Sequence, residues 1–235
     1  MKVENVSRFG ESLELSKAGI RSQEKIIFKL LRKKIGVYAG FIVKLRLRKQ
    51  TRRIRENFPA ELERARKIGR NIDRQLVLMA ALFFVLANYR GRRFARDFMT
   101  RLMQKVAPVT ISAVYRLSEL VKCEGDSFDN YKKYNRALFS YLNREGAWKN
   151  KVLNETDNLL EVEIISCFIR EFFQTLGCGE IAGMACKLFL TGYSLIEEAV
   201  QSEFRRPLTI YNGDEYCHFK FYRKGKAPND AHLNK

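Results

Sequence analysis

With 235 residues of which 46% are hydrophobic, the chain can bury a substantial core, which excludes a disordered polyelectrolyte and a disulfide-stapled miniprotein. The net charge of +18 lies entirely in residues 1–105, with 27 basic and 9 acidic residues, while residues 106–235 hold 17 of each. Five cysteines, an odd number, and the polar start Met1-Lys2-Val3-Glu4 point away from a secreted disulfide framework and predict reduced thiols in a cytoplasmic protein.

Residues 1–20 show no sustained period and are expected to form a loose arm. From Ser22 the apolar positions Ile26, Ile27, Leu30 and Leu31 follow a helical spacing that continues through Val37, Tyr38, Phe41 and Leu45. Gly36 and Gly40 weaken this helix in its middle. Lys25 to Arg55 holds twelve basic residues and no acidic one. The spacing predicts an amphipathic surface helix with a solvated cationic face. Such a face attracts an anionic surface of any kind, whether acidic lipid, nucleic acid or acidic protein.

Pro59 and Glu61 mark a new helical first turn. Asn71-Ile72-Asp73 opens another helix through Leu76 to Tyr89, apolar on nearly all sides and so expected at the centre of a helical bundle. Its most apolar run, Leu76 to Ala87, is shorter than the roughly 20 residues a bilayer crossing needs, so no transmembrane segment is expected. Gly91 ends it. Phe94, Phe98, Leu102 and Val106 then form an i, i+4 stripe closed by Pro108. Further helices are predicted over Thr110 to Lys122 and Asp129 to Asn143, with a polar loop carrying Cys123 between them.

After Trp148 the period falls to two. Leu160, Val162, Ile164 and Ser166 alternate with Glu161, Glu163, Ile165 and Cys167, the pattern of a half-buried strand. Phe168 to Leu176 reads as a helix stopped by Gly177, and Gly179 to Leu190 as a second helix rich in small residues that carries Met184 and Cys186. Two strands, Phe204 to Tyr211 and Tyr216 to Arg223, are predicted to form a hairpin through Asn212-Gly213. In the last strand Cys217, Phe219 and Phe221 share one face and His218 lies on the other.

The fold class is therefore α+β, an N-terminal helical region packed with a C-terminal antiparallel sheet-and-helix unit. The expected divisions are a basic arm and amphipathic helix over 1–57, a helical region over 58–150, an α+β unit over 151–224 and a polar tail over 225–235.

No metal or cofactor is expected. There is no Cys-x-x-Cys pair, and the histidines are His218 and His232. No Gly-x-Gly-x-x-Gly follows a strand, and neither a Walker loop nor a nucleophile elbow is present. Cysteine chemistry fits better. Cys167 stands where a strand enters a helix, Cys186 lies within a helix, and Cys217 adjoins His218. A single buried thiol is usually a small hydrophobe, but three converging on one sheet–helix interface would be an unusual coincidence.

The last third resembles the L-2-amino-thiazoline-4-carboxylic acid hydrolase family. The resemblance rests on Glu163-Ile164-Ile165-Ser166-Cys167, a helix bearing Cys186, Pro207-Leu208-Thr209-Ile210, and the closing Gly213-Asp214-x-x-Cys217-x-Phe219. Ile68-Gly69-x-Asn71 before the long apolar helix is also similar, so the resemblance spans about Phe58 to Tyr222. It implies a hydrolase that opens a C–N bond of a small sulfur heterocycle in a cysteine-lined pocket. Cys186 or Cys167 would attack or hold a water, while Thr209, Asp214 and Cys217 would bind substrate. Family members commonly carry an Asp shortly after the second Cys; here Cys186 is followed by Lys187-Leu188-Phe189-Leu190-Thr191, with no carboxylate until Glu197. Asp214 and His218 are the nearby groups for its acid-base work. A ligand-binding relative without catalysis, and a basic binder of an anionic membrane surface or nucleic acid, are the competing readings.

Overall fold

The computed structural model describes residues 17–114 and 116–229, and they fall into two compact units. Among the described residues, a helical unit draws on 17–110 and 169–188, and a sheet unit on 111–168 and 189–229. Most of the expected N-terminal arm lies outside the described residues, as does the end of the tail.

In the helical unit, α1 (Lys17–Ile35) and α2 (Val37–Asn57) replace the single weakened helix expected there. Gly36 separates them at φ 82°, a left-handed backbone that favours glycine. The two helices fold back on each other, bringing the Lys44 ammonium 5.3 Å from the centre of the Phe28 ring. Gly40, the other suspected break, stays inside α2. The short α3 (Pro59–Ile68) carries proline in its first turn and buries Leu62, Ala65 and Ile68. Asn71, at φ 68°, turns the chain into α4 (Ile72–Val114), asparagine being among the few residues that tolerate this conformation.

The first half of α4 is the core helix its sequence predicted, with Ala80, Ala81, Leu82, Phe83 and Leu86 fully buried. One 18-residue window within Ile72–Ile111 is as apolar as a membrane span, but 56% of it is buried inside the protein. Arg90 and Gly91 leave helical geometry, Gly91 at φ 86°, so the predicted stop is a kink between two helical segments. Pro108 does not end the second segment, which runs on to Val114. Proline frees the carbonyl four residues earlier, and Gln104 is exposed, so water can satisfy that group. This unit also contains residues 169–175 of α7 (Phe168–Thr175), with Phe172 and Phe173 buried.

In the sheet unit, the helix expected over Thr110 to Lys122 is interrupted. Arg116 adopts a left-handed conformation, φ 43°, and only the single turn α5 (Leu117–Leu120) follows. Asp126 caps α6 (Ser127–Arg144) by accepting the Asp129 N–H at 2.9 Å, and Arg223 reaches both carboxylates, at 2.7 and 3.2 Å.

Four strands follow: β1 (Trp148–Thr156), β2 (Leu159–Cys167), β3 (Ser202–Arg205) and β4 (Cys217–Arg223), all antiparallel, in the order β1-β2-β4-β3. The α+β class holds. The tight turn of the sheet is at Asp157-Asn158 between β1 and β2, whereas the expected Asn212-Gly213 hairpin is absent. Ile210–Asn212 is instead one 3₁₀ turn ending on Gly213 at φ 99°, and only Phe204 and Arg205 of the predicted Phe204 to Tyr211 strand pair with β4, in a strand that begins earlier, at Ser202.

Leu160, Val162 and Ile164 of β2 lie opposite Phe221, Phe219 and Cys217 of β4, forming the buried face of the sheet. Aromatic rings from α6, β1, β3 and β4 interlock over it, joined by Tyr193 of α8 (Glu180–Val200), whose ring centre is 4.2 Å from that of Phe204. Pairs of this kind each add about 0.5–1.5 kcal/mol beyond their burial.

Candidate functional site

The best-defined constellation forms where the chain returns from β3 to β4. Residues 206–216 lie outside the paired strands, so their backbone polar groups find partners within the loop, on β4 and on side chains. The Thr209 N–H donates to Asp214 Oδ2 at 2.8 Å, and the Tyr211 N–H donates to Thr209 Oγ1 at 3.4 Å. The Ile210 N–H points at Cys217 Sγ, 3.3 Å away, and Thr209 Oγ1 lies 3.5 Å from the same sulfur. The His218 N–H donates to the Leu208 carbonyl at 3.1 Å. Thr209, Asp214 and Cys217, the three expected substrate-binding residues, are thus brought together in one knot. Thr209 is 1% and Cys217 7% exposed, so the knot is a buried clasp on the core side of β4.

His218 faces the other way, as strand alternation requires. Its Nε2 lies 2.6 Å from Glu161 Oε1, and Lys220 Nζ reaches the same oxygen at 3.2 Å. The carboxylate fixes the imidazole plane and leaves Nδ1 as the ring atom with no hydrogen-bond partner among the described residues. Glu161 carried no functional expectation from sequence. Its alternation with Val162 places it on the outer face, but the diagonal approach to His218 depends on strand register, which a single sequence does not specify.

Cys167 closes β2. Strict alternation would put it on the outer face with Glu161. A register shift between Lys149 and Asn150 inserts Ile165 as an extra β2 residue, and Cys167 pairs with Trp148, whose ring packs on Phe219. The bulge therefore turns Cys167 to the core side, the side of Cys217. Directly after it, the Phe168 N–H donates to the Ala147 carbonyl at 2.8 Å. Cys186 belongs to the helical unit, within α8, and is half-buried.

Two further thiols, Cys178 and Cys123, are biased toward the protonated form. Burial pushes the Cys178 thiol up to about 12, reinforced by Glu180. Burial also raises Cys123, against its solvent-side position in the loop before α6. Glu197, the first carboxylate after Cys186, is likewise raised by burial while its Oε1 accepts the Phe204 N–H at 3.3 Å. Sequence order alone had singled it out; its tie to β3 had not been foreseen. No group of three or more metal-ligating side chains occurs among the described residues.

A model of the L-2-amino-thiazoline-4-carboxylic acid hydrolase family matches residues 70–221. The chain belongs to this family. The match takes in α4, the sheet up to Phe221, Cys167, Cys186 and the whole clasp, and it leaves out the basic helices α1 and α2 and the short α3. No curated protein sequence matches the chain. For this hydrolase-family member, the Gly213-Asp214-x-x-Cys217 motif has a structural reading: Gly213 takes the left-handed turn, Asp214 holds the Thr209 backbone, and Cys217 receives the N–H that follows.

Proposed function

We propose that the protein hydrolyses a carbon–nitrogen bond in a small heterocyclic metabolite, of the 2-aminothiazoline carboxylate type, with a cysteine thiol facing the substrate. The observation that carries this reading is the family match, which spans every candidate residue and includes the clasp Thr209, Asp214 and Cys217. In the proposed reaction a thiolate attacks the amidine carbon, and the ring C–N bond breaks as nitrogen takes a proton. Water then displaces the cysteine Sγ from that carbon and regenerates the thiolate, so that hydroxyl ends on carbon and hydrogen on nitrogen, while the substrate's own sulfur stays on the carbon.

Cys167 in the sheet unit and Cys186 in the helical unit are the two candidate nucleophiles, since Cys123 and Cys178 are biased toward the protonated thiol. Cys217, fastened by the Ile210 N–H, acts with Thr209 and Asp214 to shape the substrate-facing loop. His218, oriented by Glu161, supplies proton transfer through Nδ1. The setting is the cytoplasm, where the thiols stay reduced.

A second reading has its own observation. Lys187 to Thr191 contain no carboxylate, so a relative that binds the heterocycle without opening it also accounts for the sequence. Mass spectrometry of 2-aminothiazoline-4-carboxylate incubated with purified protein separates the two. A product heavier by one water supports hydrolysis; unchanged compound with a raised melting temperature supports binding alone.

A further inference from the structure

The family match leaves α1 and α2 unexplained, and their surface combines two features that soluble domains keep apart. At the Gly36 turn, Val37, Tyr38, Phe41 and Leu45 are 74%, 80%, 60% and 50% exposed. At 100° per residue, Tyr38, Phe41 and Leu45 fall on the face of α2 opposite its buried row of Val43, Leu47 and Ile54. The same outward face continues into Arg48, Lys49 and Arg52. One helix face is thus apolar at the turn and cationic beyond it.

Beside the turn, α1 and α4 enclose an open groove of about 740 Å³ whose charged lining is Lys29, Lys33, Lys34, Arg101 and Lys105, with no acidic residue. Cations lining a groove next to exposed aromatic and aliphatic side chains complement a surface that is anionic at its headgroups and apolar just beneath them. A nucleic acid would use the cations and could stack bases on Tyr38 or Phe41, but its polar backbone gives no apolar burial to Val37 and Leu45. We infer that the α1–α2 turn docks on an anionic lipid bilayer, with Tyr38 and Phe41 entering the interface and the basic groove taking lipid phosphate.

The test uses the full chain with sedimented vesicles of phosphatidylserine and phosphatidylcholine, beside vesicles of phosphatidylcholine alone. Binding should require phosphatidylserine and weaken as salt rises. Tyr38→Ser with Phe41→Ser should lower the vesicle partition coefficient about tenfold or more. Lys33→Ala with Lys34→Ala and Arg101→Ala should remove most of the preference for phosphatidylserine. All these positions are exposed, and unchanged helical circular dichroism identifies folded variants. Vesicle binding unaffected by the Tyr38 and Phe41 changes overturns the proposal. So does binding to duplex nucleic acid tighter than to vesicles, or concentration-dependent self-association that the Tyr38 and Phe41 changes abolish.

Discussion

Gly192 offers the sharpest test of packing in the sheet unit. It lies in α8 against Ile111, and a Cβ added there would stand 2.0 Å from Ile111 Cγ1, 2.8 Å from Cδ1 and 3.0 Å from Cβ. Two effects oppose each other in Gly192→Ala. Alanine in a helix interior gains about 1 kcal/mol over glycine, while overpacking a core costs about 1–3 kcal/mol. The steric term should win, because Ile111 is fully buried and β-branched, and the close atoms include its Cβ, which no rotamer change moves. With the steric cost at the upper end, about 2–3 kcal/mol, the net loss is about 1–2 kcal/mol, which at about 2–4 °C per kcal/mol for a chain of this size lowers Tm by roughly 2–8 °C. Ile111→Ala alone should cost about 2–5 kcal/mol by leaving a cavity. In that background Gly192→Ala should turn neutral or stabilising, since the clash is largely gone and helix propensity remains. Denaturant titrations of the four proteins measure the coupling. An equal effect of Gly192→Ala in both backgrounds would refute the close approach.

Three further outcomes follow from individual contacts. Cys178, whose thiol burial raises from 9.0 to about 12, keeps its proton in the folded state while the unfolded chain loses it. Its contribution to stability should therefore be constant below about pH 9 and fall by about 1.4 kcal/mol per pH unit toward pH 12, a part of the alkaline slope that Cys178→Ala removes while the part due to buried Tyr134 remains. Asp126→Ala deletes both the α6 cap and the contact with Arg223 and should cost about 1 kcal/mol in denaturant titration at pH 7. Because the Arg223 hydrogen bond lowers the Asp126 pKa, the contribution is present above the usual 3.8 and fades as pH falls through the folded value, so wild type and variant should converge in acid. Glu197→Gln keeps an acceptor for the Phe204 N–H without the buried charge, so thermal unfolding at pH 7 should show equal or higher stability; a large loss would mean the charge itself is needed.

Much of the architecture was legible because burial leaves a period. The alternation from Leu160 to Ser166 and the all-round apolar run from Leu76 each record which sides of the backbone face a core, and Gly177, at φ 74°, follows the end of α7 as expected. β1 was missed for the converse reason. Apart from Trp148 it is an edge strand whose residues are mostly exposed, so Lys149 to Thr156 show no apolar alternation. Pro108 misled because a proline can sit in a helix wherever water meets the freed carbonyl. Asn212-Gly213 misled because a left-handed glycine also ends a 3₁₀ turn, and local sequence does not distinguish the two. The clasp residues were identified by family likeness, but that Thr209 holds Asp214 and adjoins Cys217 is a property of the folded loop. The side taken by Cys167 was hidden too, since it depends on a one-residue bulge.

The most direct test of the hydrolase reading is kcat for opening 2-aminothiazoline-4-carboxylate by the wild-type protein beside Cys167→Ser and Cys186→Ala, with Cys178→Ala as control. Loss of about 100-fold or more in one of the first two, with near-normal turnover in the control, is the predicted result. Turnover retained by both variants would contradict nucleophilic cysteine catalysis, and no turnover by the wild type would leave the chain a binding member of its family.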